Sequence, residues 1–448
     1  MVHALGSTTT DTGTTAWMLV SCALVMLMAP GLALFYGGMV RSKSVLNMMM
    51  MTFGATAVVL VIWVAFGYSE AFGNDLGGGL LGDPRQYAGL AQFLAPSADA
   101  GSSFPVILFV VFQGLFAVIT AALISGAIAD RAKFTSWLVF VAAWVVLVYA
   151  PVAHWVFDAT SGTRAGGWLS SQVHLVDFAG GTAVETCSGA SALALALVLG
   201  RRIGFGKEPM RPHNLTYVML GAGLLWFGWY GFNAGSALGA NHQAAVVLMT
   251  TTLAGATGVI GWLAVERLRD GHYTSFGAAS GMVAGLVAIT PSCGSLSPVG
   301  ALVMGAVAGG VCSWAVGLKY RFGYDDSLDV VGVHLVGGIV GTLGVGILAT
   351  RIAPTGVSGL LDGGGAALLG RQVIGVGAVL VYAFVVSGVL GLLIERTIGF
   401  RVHRDHETGG IDLALHAETA YDLHTTAGGR ASTHGLLGSL HSHREDHS

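Results

Sequence analysis

Charge is what this chain of 448 residues has least of: Lys, Arg, Asp and Glu make up only 10% of it, against about 25% in ordinary soluble domains. That scarcity argues against a water-exposed globular enzyme. The net charge of −3 leaves no basic excess, so nothing resembles a phosphate-neutralising surface and nucleic acid is excluded as a partner. Cysteine is scarce too: Cys22, Cys187, Cys293 and Cys312 each stand alone in an apolar run, with no CxxC pair. That spacing fits neither a disulfide framework nor a zinc site. No metal and no other cofactor is expected, and with neither HExxH nor GxSxG present, an intramembrane hydrolase is disfavoured.

What the chain does have is apolar length and glycine. Hydrophobic residues make up 54% and glycine fills 68 positions, about twice its usual share, with a mean hydropathy of +0.71. Small residues cluster inside the apolar runs, as in Gly221-Ala222-Gly223, Ala279-Ser280-Gly281 and Gly305 to Gly310, and such residues let membrane helices approach closely. The fold class that follows is an all-α polytopic membrane protein, expected in the cell (plasma) membrane.

A span needs roughly 20 apolar residues. That ruler gives eleven transmembrane helices, near 16-38, 46-68, 104-127, 134-154, 180-200, 215-235, 243-265, 274-290, 298-318, 330-350 and 372-395. Of the 21 Lys and Arg, twelve fall in alternate loops on one side, at 41 and 43, 131 and 133, 201 to 211, 267 and 269, and 319 and 321. Four lie on the other side, at 85, 164, 351 and 371, and five beyond the last span. Cytoplasmic loops keep the positive charge, so the N-terminus is predicted outside and the C-terminus inside. A transmembrane domain over 1-396 is followed by a cytoplasmic tail over 397-448, whose last fifteen residues or so read as disordered. Ten spans plus one also permit two inverted five-helix halves, about 16-200 and 215-350, and a last helix. Breaks are expected at Ala29-Pro30-Gly31, Tyr149-Ala150-Pro151 and Thr290 to Gly294.

Two ionisable residues stand inside apolar spans, Glu185 and His334, one in each half. Charge at membrane depth is costly, so such residues usually face an interior and carry function. Asp177 lies eight residues before Glu185, about 12 Å along a helix; the second half ends in a comparable Asp329 to His334. An aromatic constellation accompanies them: Phe112 with Phe116, and Trp226, Trp229 and Phe232 with Ser236. Phe112 and Phe116, and likewise Phe232 and Ser236, are four apart and share a helix face. Aromatic faces beside a hydroxyl are the materials of a cation cage.

These residues resemble the ammonium transporter family (Amt/Mep/Rh), and its Amt/Mep branch more than its Rh branch. The resemblance rests on Asp177 to Arg202, Leu32 to Arg41, Trp229 to Ala237, Thr290 to Gly294, Asp329 to His334 and the tail segment Gly410 to Tyr421, and covers almost the whole chain. It implies a homotrimer in which each subunit conducts ammonium or ammonia through its own pore. It also implies roles by position: Phe116 and Phe232 as a stacked gate, Ser236 as the vestibule acceptor, Trp229 as a pore flank, Asp177 as the essential buried aspartate, and His334 as the second of two pore histidines. Glu185 replaces the first, so the proton relay becomes Glu185 with His334. Where the family has a vestibule tryptophan this chain has Phe157, followed by an insertion from Asp158 to Arg164; Phe157 is the favoured occupant, Trp168 the alternative. The expected activity is electrogenic ammonium transport. A membrane ammonium sensor and an electroneutral ammonia channel are the rival readings, and a PII-type signal protein is an implied partner at the loops with Lys207, Arg211 and Lys319 and the tail near Asp412.

Overall fold

Backbone in hydrocarbon must satisfy its own hydrogen bonds, and almost every apolar run here does so as a helix. The structure is a computed structural model that describes residues 10–162 and 164–421. Its principal helices are α1 (Thr12–Met39), α2 (Val45–Phe72), α3 (Val106–Ile128), α4 (Phe134–Phe157), α5 (Gly181–Leu199), α6 (Leu215–Ala234), α7 (His242–Asp270), α8 (Ser275–Ile289), α9 (Pro298–Phe322), α10 (Val331–Leu348) and α11 (Ala367–Thr397). Ten of these are long and apolar enough to cross a membrane; α8 is apolar but shorter. The described residues form no β-strand beyond isolated bridges. Polar caps fix several starts. Asp11, Asn214, Asn241, Thr274 and Ser297 each accept the backbone N–H three residues on, at 2.6 to 3.1 Å, satisfying donors that a helix start leaves free.

The helices are drawn together by small residues. α1 packs along α6, α5 against α11, and α7 between α8 and α9. A Cβ built on Gly258 of α7 would fall 2.3 Å from the Gly281 carbonyl oxygen of α8, and one on Gly309 of α9 would fall 2.1 Å from that of Gly258. Gly281 and Gly285, and Gly305 and Gly309, repeat at four-residue spacing, so one stripe of each helix is bare backbone. Outward faces stay apolar, as at Val373, Val381, Val385 and Val389 of α11.

Two expected breaks are absent. α1 runs unbroken through Pro30. α4 runs through Pro151 because a π-turn, Val145–Tyr149, widens the helix just before it. The Leu147 carbonyl, which Pro151 has no N–H to serve, accepts instead from the Tyr382 hydroxyl at 2.8 Å. The third break is present: α8 stops at Ile289 and the chain turns through Thr290 to Ser295.

Loops from the Lys- and Arg-rich set meet on one face. Asp130 pairs with Arg41 and Arg202, and Asp325 with Arg202 and the fully buried Arg131. The tail docks there through α12 (Arg404–Gly409) and α13 (Ile411–His416). Asp412 accepts the N–H groups of Leu46 and Asn47 and so caps α2, while Glu407 takes the N–H of Ile203 and the Arg401 guanidinium. Burial pushes the Asp412 carboxyl up, with those N–H groups opposing. Asp412 is thus engaged by its own chain and Lys319 is held by Asp329 at 2.6 Å, so both side chains are buried. Lys207 and Arg211 are exposed. The expected disorder at the end of the tail lies outside the described residues.

The stripe at Gly258 generates a prediction. Gly258→Val should force α7 from α8 and α9 and destabilise by about 1–3 kcal/mol or more, read as a lower melting temperature and aggregation of detergent-solubilised protein. An unchanged melting curve would refute this packing.

Candidate functional site

The site is built where α5 and α10 cross, and both helices begin irregularly there. α5 opens in a π-turn, Gly181–Thr186, that carries Glu185; α10 opens in a π-turn, Val331–Leu335, that carries His334. Wide turns of this kind recur at functional sites. Asp177 caps the first, accepting the N–H groups of Gly180, Gly181, Thr182 and Ala183 at 2.7 to 3.1 Å. Asp326 caps the second, accepting those of Val330 and Val331 at 3.1 and 2.7 Å. Burial pushes the Asp326 carboxyl up to about 6, with Lys319 beside it opposing.

The correspondence is residue for residue. Asp177 precedes Glu185 by eight positions, and Asp326 precedes His334 by eight. Four positions after each comes a glycine, Gly189 or Gly338. A Cβ on Gly189 would fall 2.4 Å from the Leu335 nitrogen, and one on Gly338 would fall 2.9 Å from the Thr186 nitrogen and from the Glu185 Cβ. Each glycine therefore admits the other helix at the residue following its ionisable partner. The sequence pattern pairs Asp177 with Asp329, but the aspartate that caps α10 is Asp326, and Asp329 holds Lys319 instead.

At the crossing, His334 Nδ1 and Glu185 Oε2 are 2.7 Å apart and share a hydrogen. Both side chains are buried, Glu185 to 1% and His334 to 3% exposure. They line a void of about 10 Å³ together with Leu32, Leu225, Trp229 and Phe232, a space at the lower limit for one water. Trp229 is pinned beside it, donating from Nε1 to Thr290 Oγ1 at 2.9 Å.

Above the void the rings of Phe116 and Phe232 stack with centroids 4.0 Å apart and planes 7° apart. Beyond them opens a cavity of about 310 Å³. Phe116 forms its floor, Phe157 meets Phe116 edge to face at 6.2 Å, and Ser236 stands on its wall. Ser236 Oγ donates to the Phe232 carbonyl at 2.8 Å. That fixes the hydroxyl hydrogen and leaves the oxygen lone pairs as acceptors, so the cavity offers aromatic faces, an oriented acceptor and a closed apolar floor.

Of the residues singled out by sequence, Phe116, Phe157 and Ser236 come together in the cavity, while Trp229, Glu185 and His334 come together in the void below, with Phe232 at the partition. Trp229, expected as a pore flank, lines the lower void and not the upper cavity. Asp177 lines neither and acts through the start of α5. Trp168, the alternative to Phe157, packs on Trp155 at 5.8 Å and is absent from the cavity wall. Missed by sequence were Phe178 and Gln113 on that wall; nothing in their spacing marks them, although Phe178 follows Asp177 directly.

The fold and this pair of spaces define a polytopic helical membrane protein with a cavity separated by two stacked rings from a small buried void that holds a carboxyl–imidazole pair. The family model described as the Ammonium Transporter Family matches residues 16–421. The chain is 55% identical over 440 residues to an ammonium transporter of Mycobacterium tuberculosis, covering 93% of this chain and 92% of that protein. It is 43% identical over 413 residues to one of Bacillus subtilis, covering 91% and 98%. Among solved structures it resembles Saccharomyces cerevisiae Mep2, with a TM-score of 0.79 at 35% identity over 89% of this chain and 92% of that one. It also resembles a sensor Amt protein, with a TM-score of 0.82 at 28% identity over 90% and 98%. The chain belongs to the ammonium transporter family, and its function is ammonium transport.

Asp177→Ala should leave the N–H groups at the start of α5 without their acceptor, each costing about 1–3 kcal/mol when buried. Transport should be lost together with several degrees of thermal stability, while Asp177→Asn, which keeps one acceptor oxygen, should lose less of both. Full transport by Asp177→Ala would show that α5 does not need its cap.

Proposed function

We propose that ammonium is recruited as the cation in the upper cavity and, in passing the Phe116–Phe232 partition, gives its proton to the Glu185–His334 pair; ammonia crosses the lower void, and the pair releases the proton on the inner side, where ammonia takes it up again. One observation carries this reading: a buried carboxyl–imidazole pair 2.7 Å apart lies directly under a closed aromatic partition, in a space too small for a hydrated ion. In the cavity, aromatic faces contribute about 0.5–2 kcal/mol per cation contact, and Ser236 accepts a hydrogen bond that potassium or sodium cannot donate. Below it, apolar surroundings disfavour the charged form of an amine, so giving up the proton is the less costly crossing. Proton and ammonia then move by separate routes and net charge crosses.

The same proposal includes eleven spans with α8 among them, the N-terminus outside and the C-terminus inside, two inverted halves, a homotrimer and a plasma-membrane location with lipid against the apolar exterior. Twelve of the 21 Lys and Arg in one set of loops support the orientation, and the Asp177–Glu185–Gly189 and Asp326–His334–Gly338 series supports the halves. Glu185 is read as replacing a pore histidine of the family. A PII-type protein at the Lys- and Arg-rich face would meet Lys207 and Arg211.

The test is the transient current of purified protein in proteoliposomes after an ammonium jump. A saturating current is expected, and Glu185→Gln should cut it at least tenfold and flatten its pH dependence, with ammonium recruitment intact. Current without change in amplitude or pH profile in Glu185→Gln would sink the relay. Absence of current in the parent protein, with internal alkalinisation, would instead establish electroneutral ammonia flux; binding with neither would establish a sensor.

A further inference from the structure

The insertion from Asp158 to Arg164 is not used by this mechanism, yet it builds one wall of the upper cavity. It leaves α4 directly after Phe157 and returns as a short hairpin, bridged by mutual backbone bonds between Ser161 and Arg164 at 3.0 and 3.1 Å. Its base is closed by an ion pair. Arg164 Nη1 donates to Asp158 Oδ2 at 2.8 Å while Nη2 donates to the other carboxylate oxygen, and Nη1 also reaches the Gly73 carbonyl at 3.2 Å. Asp158 is almost wholly buried; the Arg164 side chain is 30% exposed. Behind them His154 Nδ1 lies 3.4 Å from Asp158, with Asp75 beyond it at 3.5 Å from Nε2.

Among the described residues lining the cavity, Asp158 and Arg164 are the only charged ones. A guanidinium is the wrong sign for a chamber that collects a cation, and alone it would repel ammonium. Paired bidentately with Asp158, it cancels a carboxylate that would otherwise attract any monovalent cation without regard to its hydrogens. We propose that the Asp158–Arg164 pair sets the electrostatic level of the recruitment cavity, holding it near neutral so that Phe157, Phe116 and Ser236 decide which cation enters. The inference rests on the reading of this cavity as the recruitment site.

The test is the half-saturating ammonium concentration of the proteoliposome current, with potassium as competitor. Removing one charge leaves the other facing the cavity across a partly screened gap, an effect of about threefold or more. Arg164→Gln should lower half-saturation by about that factor and let potassium compete. Asp158→Asn should raise it similarly, the double variant should return to within about twofold of the parent, and Arg164→Lys should stay near the parent. A pair that merely scaffolds the hairpin would shift both single variants in the same direction, and that result overturns the proposal. So does an Arg164→Lys shift as large as that of Arg164→Gln. Ser236→Ala separates the layers: unchanged half-saturation there would overturn the cavity reading itself, whereas a rise with same-direction shifts in the ion-pair variants would overturn the ion-pair role alone.

Discussion

Everything in this protein depends on two helices being allowed to cross at backbone distance. A carboxyl and an imidazole can meet at 2.7 Å inside an apolar bundle only if the backbones bearing them approach more closely than side chains normally permit. Gly189 and Gly338 remove the obstruction reciprocally. The π-turns rotate Glu185 and His334 out of regular helical register, and the Asp177 and Asp326 caps satisfy the donors that such starts leave unpaired. Remove the glycines and the pair cannot form; remove the caps and the turns have no reason to hold.

A buried ionisable pair is costly unless each member satisfies the other, and here the satisfied pair also encloses the void. Its neighbours Leu32 and Leu225 carry no polar side-chain atom, and the one donor of Trp229, its indole N–H, is already committed to Thr290 Oγ1. The polar chemistry below the Phe116–Phe232 stack is thereby confined to one carboxyl and one imidazole. Above the stack it lies in Ser236, Gln113, Tyr68, Tyr87 and the hairpin wall. Two stacked rings separate these environments, and a proton and an uncharged amine have different reasons to cross them.

Much of this was legible in the sequence because it rests on composition and on rare residue types. Apolar runs located the helices to within a few residues at most ends, and Glu185 and His334 stood out because charge seldom occurs inside such runs. Resemblance then assigned Phe116, Phe232 and Ser236, which the fold does bring to one partition. What was illegible depends on register and on tertiary partners. Pro30 and Pro151 read as breaks, but a long helix accommodates the first, and a π-turn with the Tyr382 hydroxyl accommodates the second. Asp329 stands nearer His334 in sequence, but Asp326, at the eight-residue spacing that Asp177 keeps from Glu185, is the aspartate whose carboxylate caps α10. Asp412 looked like tail surface, whereas its carboxylate completes a helix start hundreds of residues earlier in the chain.

The two halves of the pathway place opposite demands on charge. A cavity that recruits a dilute cation gains from negative potential, but a bare carboxylate attracts every monovalent ion equally and selects none. The passage below needs ionisable groups in order to move protons, yet must not retain a cation. On the proposed reading both demands are met with paired groups, Asp158 with Arg164 at the upper cavity and Glu185 with His334 at the lower void. In the first pair the partner charge is permanent, because a guanidinium does not deprotonate at any physiological pH. In the second, either member can hold the shared hydrogen. On that reading, the difference suits one pair to be a fixed background for recognition and the other to be a conductor of protons.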